Sequence, residues 1–174
     1  MIDLLKLKHW EIFVPYMSIW MLYSVVSFSP LFNDFIDVKI LRLLIGLLGL
    51  TYIFGWVLLV GLKVNHIIDR DLKTNKLILS GAALICFLGY AQLQMVGAGI
   101  DINIPIWMEP IITLSTFASI IYLFVTTAKL IQKAEQKSKP QSKSYLVTAF
   151  MLFIIPIGIW IIQPRLNKIK EEYK

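Results

Sequence analysis

Long apolar runs alternate with short polar islands from one end of the chain to the other. The runs cover residues 10–28, 40–62, 77–97, 110–130 and 145–162, and the islands between them hold most of the charge. A membrane-crossing helix takes about 20 apolar residues at 1.5 Å of rise each, and every run is close to that length. A bilayer demands such segregation, because backbone groups inside it bond only within the protein. The pattern predicts an all-α protein, a single polytopic transmembrane helical bundle. Four runs read as full spans, and the fifth, 145–162, either crosses or re-enters. Residues 132–144 read as a basic linker and 163–174 as a basic tail.

Local chemistry refines each run. The first carries Pro15 near its start and aromatics at both ends (Trp10, Tyr16, Trp20, Tyr23). Glu11 follows closely on Lys6 and Lys8, and Pro30 comes directly after Ser27 and Ser29, so the run reads as a retained helix, not a cleaved signal. In the second run Arg42 sits in the first turn, where it can snorkel to the interface. Gly46, Gly49, Gly55 and Gly61 let neighbouring backbones approach. Pro110 suits the start of the fourth run, and Ser115 with Ser119 has the small-xxx-small spacing of a close helix contact. The fifth run is broken by Pro156-Ile157-Gly158, and Pro164 is expected to stop it.

Charge orients the bundle. The N-terminal segment, the 63–76 island and the 132–144 linker are basic, while 29–38 and 99–109 hold Asp34, Asp37, Asp101 and Glu109 without Lys or Arg before Lys39. Positive charge marks the cytoplasmic side, so four alternating spans put every basic segment and the N-terminus inside. The fifth run strains the scheme: a crossing would carry the tail (Arg165, Lys168, Lys170, Lys174) outside.

Composition agrees with a membrane protein. Hydrophobic residues make up 57% and charged residues 16%, against about 45–50% and 25% in soluble domains, and mean hydropathy is +0.72. The net charge of +6 suits anionic lipid headgroups and not nucleic acid, since no basic island interleaves aromatics or opens a nucleic-acid module. The expected partners are the bilayer and either another membrane protein or further copies of the chain. The lone Cys86, inside an apolar run, reads as a small hydrophobe.

No complete catalytic, metal or nucleotide motif is present, and no cofactor is expected. The most suggestive stretch is Asn65-His66-Ile67-Ile68-Asp69-Arg70-Asp71, between two spans. It resembles the first aspartate-rich motif of intramembrane aromatic prenyltransferases, Asn-x-x-x-Asp-x-x-x-Asp, whose carboxylates hold magnesium against a prenyl diphosphate. Asn65 and Asp69 match, but the third acid falls on Lys73, Asp71 is out of step, and no second such motif follows. A solvated connection with capping Asn and Asp side chains uses the same letters. His66 and Asp69 share i, i+3 spacing, too few ligands for a closed zinc site. His9 and Glu11, two apart, do not share a helix face, and Glu11 is expected to stay hydrated at the interface. Gln92 and Gln94 lie at membrane depth, where amides usually bond to neighbouring helices or line a substrate site.

The ending Pro156-Ile157-Gly158-Ile159-Trp160-Ile161-Ile162-Gln163-Pro164-Arg165-Leu166-Asn167 resembles that of a family of small multi-span bacterial membrane proteins. Leu7-Lys8-His9-Trp10, Gly55-Trp56 and the 122–135 segment are similar in the same order. The resemblance implies a helical protein of the bacterial cytoplasmic (inner) membrane and assigns no activity. Three functions are carried forward. The first is a non-enzymatic accessory or scaffold subunit packing against membrane partners. The second is a transporter or binder of small molecules or lipids, with Gln92 and Gln94 lining a cavity. The third is a magnesium-dependent enzyme acting on a lipid diphosphate, with Asn65 and Asp69 facing a shared cavity.

Overall fold

A computed structural model describes residues 7–28, 38–68, 73–97, 100, 103–136 and 144–172. About nine-tenths of the described residues are helical, in six helices, and none is in a strand. The helices are α1 (His9–Phe28), α2 (Val38–Ile67), α3 (Lys76–Gly97), α4 (Met108–Gln136), α5 (Tyr145–Phe153) and α6 (Ile155–Glu172). The first four are long and apolar enough to cross a membrane. The protein is therefore a polytopic helical membrane protein.

α1 to α4 run up and down as a bundle. Neighbours in sequence pack together, α2 also packs on α4, and α5 and α6 fill the side between α4 and α1. The core is where α2, α3 and α4 meet: Val57, Val60, Val64, Leu79, Cys86, Leu123 and Ile131 are essentially inaccessible. Lipid gives no hydrophobic drive for helices to associate, so close packing and hydrogen bonds carry the contact. At Gly89 an added Cβ would run into the Thr116 side chain, so α3 and α4 meet at a point only glycine allows. The expected Ser115/Ser119 face is half right. Ser119 is buried, but Ser115 is exposed and its hydroxyl donates back to Ile112 O; Thr116 makes the close contact instead.

Two helices outrun their expected spans. α2 continues past residue 62 to Ile67 and α4 past 130 to Gln136. At 1.5 Å per residue each is about 45 Å long, more than the ~30 Å hydrocarbon core, so both project at the basic end. The start of the expected 132–144 linker is thus helix.

The fifth run is two helices forming a hairpin. Ser144 caps α5, its hydroxyl accepting from Leu146 N at 3.3 Å. An uninterrupted helix would need Pro156 to donate to Leu152 O, which proline cannot do. The chain reverses at Ile154, and Pro156 falls in the first turn of α6, where a missing N–H costs nothing. Gly158 lies so close to the Met151 carbonyl that a Cβ would overlap it. α6 then returns to the level where α5 began, because Arg165 Nη1 donates to Thr148 Oγ1 at 3.0 Å. With nine residues, α5 rises about 13 Å, roughly half the hydrocarbon core. Phe153 at its tip meets Phe124, midway along α4, with ring centroids 5.9 Å apart.

Pro164 does not stop the helix, contrary to expectation; α6 runs through it to Glu172. A helix-interior proline costs about 3 kcal/mol. Beyond it, Leu166 and Ile169 are 0% and 1% exposed, and burying each returns roughly 1.5–3 kcal/mol. Burial wins, and the basic tail becomes a helix packed on the bundle.

Candidate functional site

Polar side chains gather at the basic end, and most are engaged in holding the fold. Asn65 is wholly buried in the last turn of α2. Its Nδ2 donates to Thr74 O at 2.7 Å and its Oδ1 accepts from Thr74 N at 2.8 Å. That pair closes the α2–α3 connection as a second strand would. Both amide atoms of Asn65 are thus engaged within the fold, and the residue is not part of a solvated island. Asp69, its expected companion, lies outside the described residues. Asn75 does cap α3, its Oδ1 accepting from Leu77 N at 2.9 Å. His66 is exposed. Among the described residues no group of three His, Cys, Asp or Glu side chains could hold a metal ion.

The hairpin is anchored by three contacts to residues far away in sequence. Arg165 Nε and Nη2 donate to the two Glu135 carboxylate oxygens, each at 2.6 Å. Both side chains are 18% exposed. This fork-to-fork geometry is the strong form of the ion pair, and the Thr148 hydroxyl takes a further guanidinium N–H. Gln163, fully buried, donates from Nε2 to Leu7 O at 2.9 Å. The His9 ring lies on Trp160 with centroids 4.0 Å apart, and Phe13 meets the same indole edge-on at 5.6 Å. Glu11 turns back to accept from Lys8 N at 2.7 Å, the carboxylate half of a capping box. Tyr52 Oη donates to Ile12 O at 2.8 Å, tying α2 to α1.

Most of the 156–167 ending is therefore an anchor. Pro156 marks the turn, Gly158 the close approach, Trp160 and Gln163 the grip on α1, and Arg165 the grip on α4. The start, Leu7 to Trp10, and Glu135 at the end of the 122–135 segment are what this ending holds. Trp56 is elsewhere, 5% exposed in the core, and its Nε1 has no hydrogen-bond partner among the described residues.

The amides at membrane depth behave differently from expectation. Gln92 and Gln94 make no hydrogen bond among the described residues, so neither is interhelical glue. The Thr116 hydroxyl beside Gln92 is turned to Ile112 O at 2.7 Å on its own helix. Gln94 faces Gly46 and a largely apolar crevice that Tyr23 also lines. The two amides do not share a site. Gln92 lines a crevice of about 40 Å³ between α3 and α4. Gln94 lines one of about 90 Å³ among α1, α2 and α3.

A larger cleft of about 620 Å³ runs along α1 beneath the hairpin tip, lined by Phe13, Met17, Trp20, Met21 and Pro156 among others. The Ser18 and Ser24 hydroxyls in it donate to Val14 O and Trp20 O, both at 2.9 Å, and so have no proton left to donate to a ligand. No family model, curated protein or solved structure matches the chain.

Proposed function

We propose that this chain is a non-enzymatic accessory or scaffold subunit of the bacterial cytoplasmic membrane, with its N-terminus and hairpin ends in the cytoplasm. The carrying observation is the half-depth hairpin, which leaves an apolar cleft along α1 in the other half of the membrane. Only 17% of the α1 span is buried within the protein, against 33% for α2, α3 and α4. An apolar transmembrane segment of a partner, or of a second copy, fits a wall of that kind. The orientation rests on the positive-inside rule: Lys8, Lys63, Lys133 and Lys168 gather at one end once the tail returns to it. The polar groups at that end hold the fold, which leaves the magnesium-enzyme reading without its Asn65.

The test is purification of the tagged chain from its native host in mild detergent, with a photo-crosslinker at Met21 on the cleft and another at Leu114 on α4. A stoichiometric partner, or a self-adduct, captured from Met21 and not from Leu114 supports the reading. A chain that runs alone and crosslinks from neither position ends it. A second reading, a lipid binder, is favoured by one observation: the Gln94 amide, at membrane depth, faces a crevice and has no hydrogen-bond partner among the described residues.

A further inference from the structure

The α1–α2 seam at the end opposite the basic face carries a graded series of unsatisfied groups. Arg42, Gly46, Gly49 and Ile53 recur at helical spacing and so share one face of α2. That face meets α1: Arg42 Nη2 donates to Ser27 O at 2.9 Å, and Ile19 lies 3.4 Å from where a Gly49 Cβ would stand. Between these two layers Gly46 leaves room for the Gln94 amide, whose Oε1 stands 2.7 Å from where a Gly46 Cβ would be. The crevice there is walled by Ile19, Trp20, Tyr23, Gly46, Leu50 and Gln94, with Trp20 and Tyr23 edge to face at 6.2 Å.

Read inward from the membrane surface, the seam presents a guanidinium, then, one helical turn deeper, a carboxamide without a partner among the described residues, then aliphatic side chains. Nη2 of Arg42 caps α1, its Nε is buried without a partner, and Nη1 makes no bond among the described residues. A phospholipid offers complementary groups in the same order: a phosphate, ester carbonyls, acyl chains. By sequence, the 29–42 and 98–109 stretches hold Asp34, Asp37, Asp101 and Glu109 against Lys39 and Arg42. That excess of acid disfavours a net-anionic headgroup.

We infer that this seam binds one zwitterionic phospholipid of the far leaflet, its phosphate on Arg42 and its ester region on Gln94. The inference rests on the lipid-binding reading and is independent of any protein partner. It is tested by native mass spectrometry of the full chain in mild detergent, incubated with dioleoyl phosphatidylethanolamine or dioleoyl phosphatidylglycerol. One phosphatidylethanolamine is expected to be retained in preference to phosphatidylglycerol. Gln94→Leu and Arg42→Gln should each weaken retention roughly tenfold, the effect of losing one good hydrogen bond to a polar or charged group. Gln92→Leu, in the other crevice, should change nothing. Should Arg42→Gln fail to fold, Gln94→Leu against Gln92→Leu still decides. Wild-type retention by both seam variants overturns this site while leaving lipid binding itself standing. Equal or tighter binding of phosphatidylglycerol overturns the headgroup assignment. A wild-type protein that retains neither lipid overturns the lipid-binding reading as well.

Discussion

Replacing Arg165 by methionine should loosen the hairpin from the bundle. The substitution keeps the aliphatic stem and removes three N–H donors, two on Glu135 and one on Thr148. Stripping one member from a buried ion pair costs about 3–5 kcal/mol, because the other charge stays desolvated. At 18% exposure of each side chain, water recovers part of that, so about 3 kcal/mol is expected. At roughly 2–4 °C per kcal/mol for a chain of this size, the midpoint of thermal unfolding in detergent should fall by about 6–12 °C. Glu135→Leu combined with Arg165→Met removes both charges. It should recover most of the loss, since replacing a buried pair by apolar groups is often close to neutral. Melting followed by fluorescence-detected size exclusion compares the wild type, Arg165→Met, Glu135→Leu and the double variant. A single variant that melts with the wild type, or a double variant whose loss is the sum of the two singles, would refute the claim that this pair holds the hairpin.

Sidedness is directly checkable in a Cys86→Ala background. Lys8→Cys and Lys168→Cys should react with an impermeant maleimide from the same face of sealed vesicles, and Asn103→Cys from the other; Lys168 reacting with Asn103 would mean that the fifth run crosses. Gly89→Ala should destabilise by about 1–3 kcal/mol through overpacking against Thr116, whereas Gly81→Ala, on the same helix with nothing within 4 Å, should be neutral or slightly stabilising; equal melting of the two would remove the close-contact argument. Asn65→Asp loses the donor to the Thr74 carbonyl and should cost about 1–3 kcal/mol, and an unchanged melting point would show that the α2–α3 closure is incidental.

The four spans were legible because each is an uninterrupted apolar run bounded by charge, and a bilayer leaves such a run one backbone solution. The hairpin was only half legible. Pro156 announces a break, but a kinked crossing and a reversal share the same letters. What decides between them is Arg165 meeting Glu135, thirty positions away, and no periodicity reports a contact of that range. A weak signal did exist: Glu135 is an acid among the lysines of a basic segment, the usual setting for a partnered charge. At Pro164 local propensity predicts a stop, and the burial of Leu166 and Ile169 that carries the helix through it is a tertiary effect. Depth in the apolar run is what singles out Gln92 and Gln94 in the sequence. Their environment depended on Gly46 and Thr116, which only the packing of α3 against its neighbours brings beside them.

Basic charge alone would not hold α6 at the end where it lies. Carrying the tail across, with Arg165, Lys168, Lys170 and Lys174 against Glu171 and Glu172, moves a small net positive charge. In the proposed orientation the membrane potential opposes that by about 2.3 kcal/mol per charge per 100 mV. The contacts weigh more. A crossing α6 would give up the Arg165 fork, the Gln163 grip on Leu7, the Trp160 stack on His9 and the burial of Leu166 and Ile169. Each of these needs its partner at the end of the bundle from which the hairpin starts. The same residues that make the last run look like an ordinary final span in sequence are those that prevent it from being one. The cleft beneath the tip follows from that, because a run that turns back at half depth leaves the other half of its path to whatever else the membrane supplies.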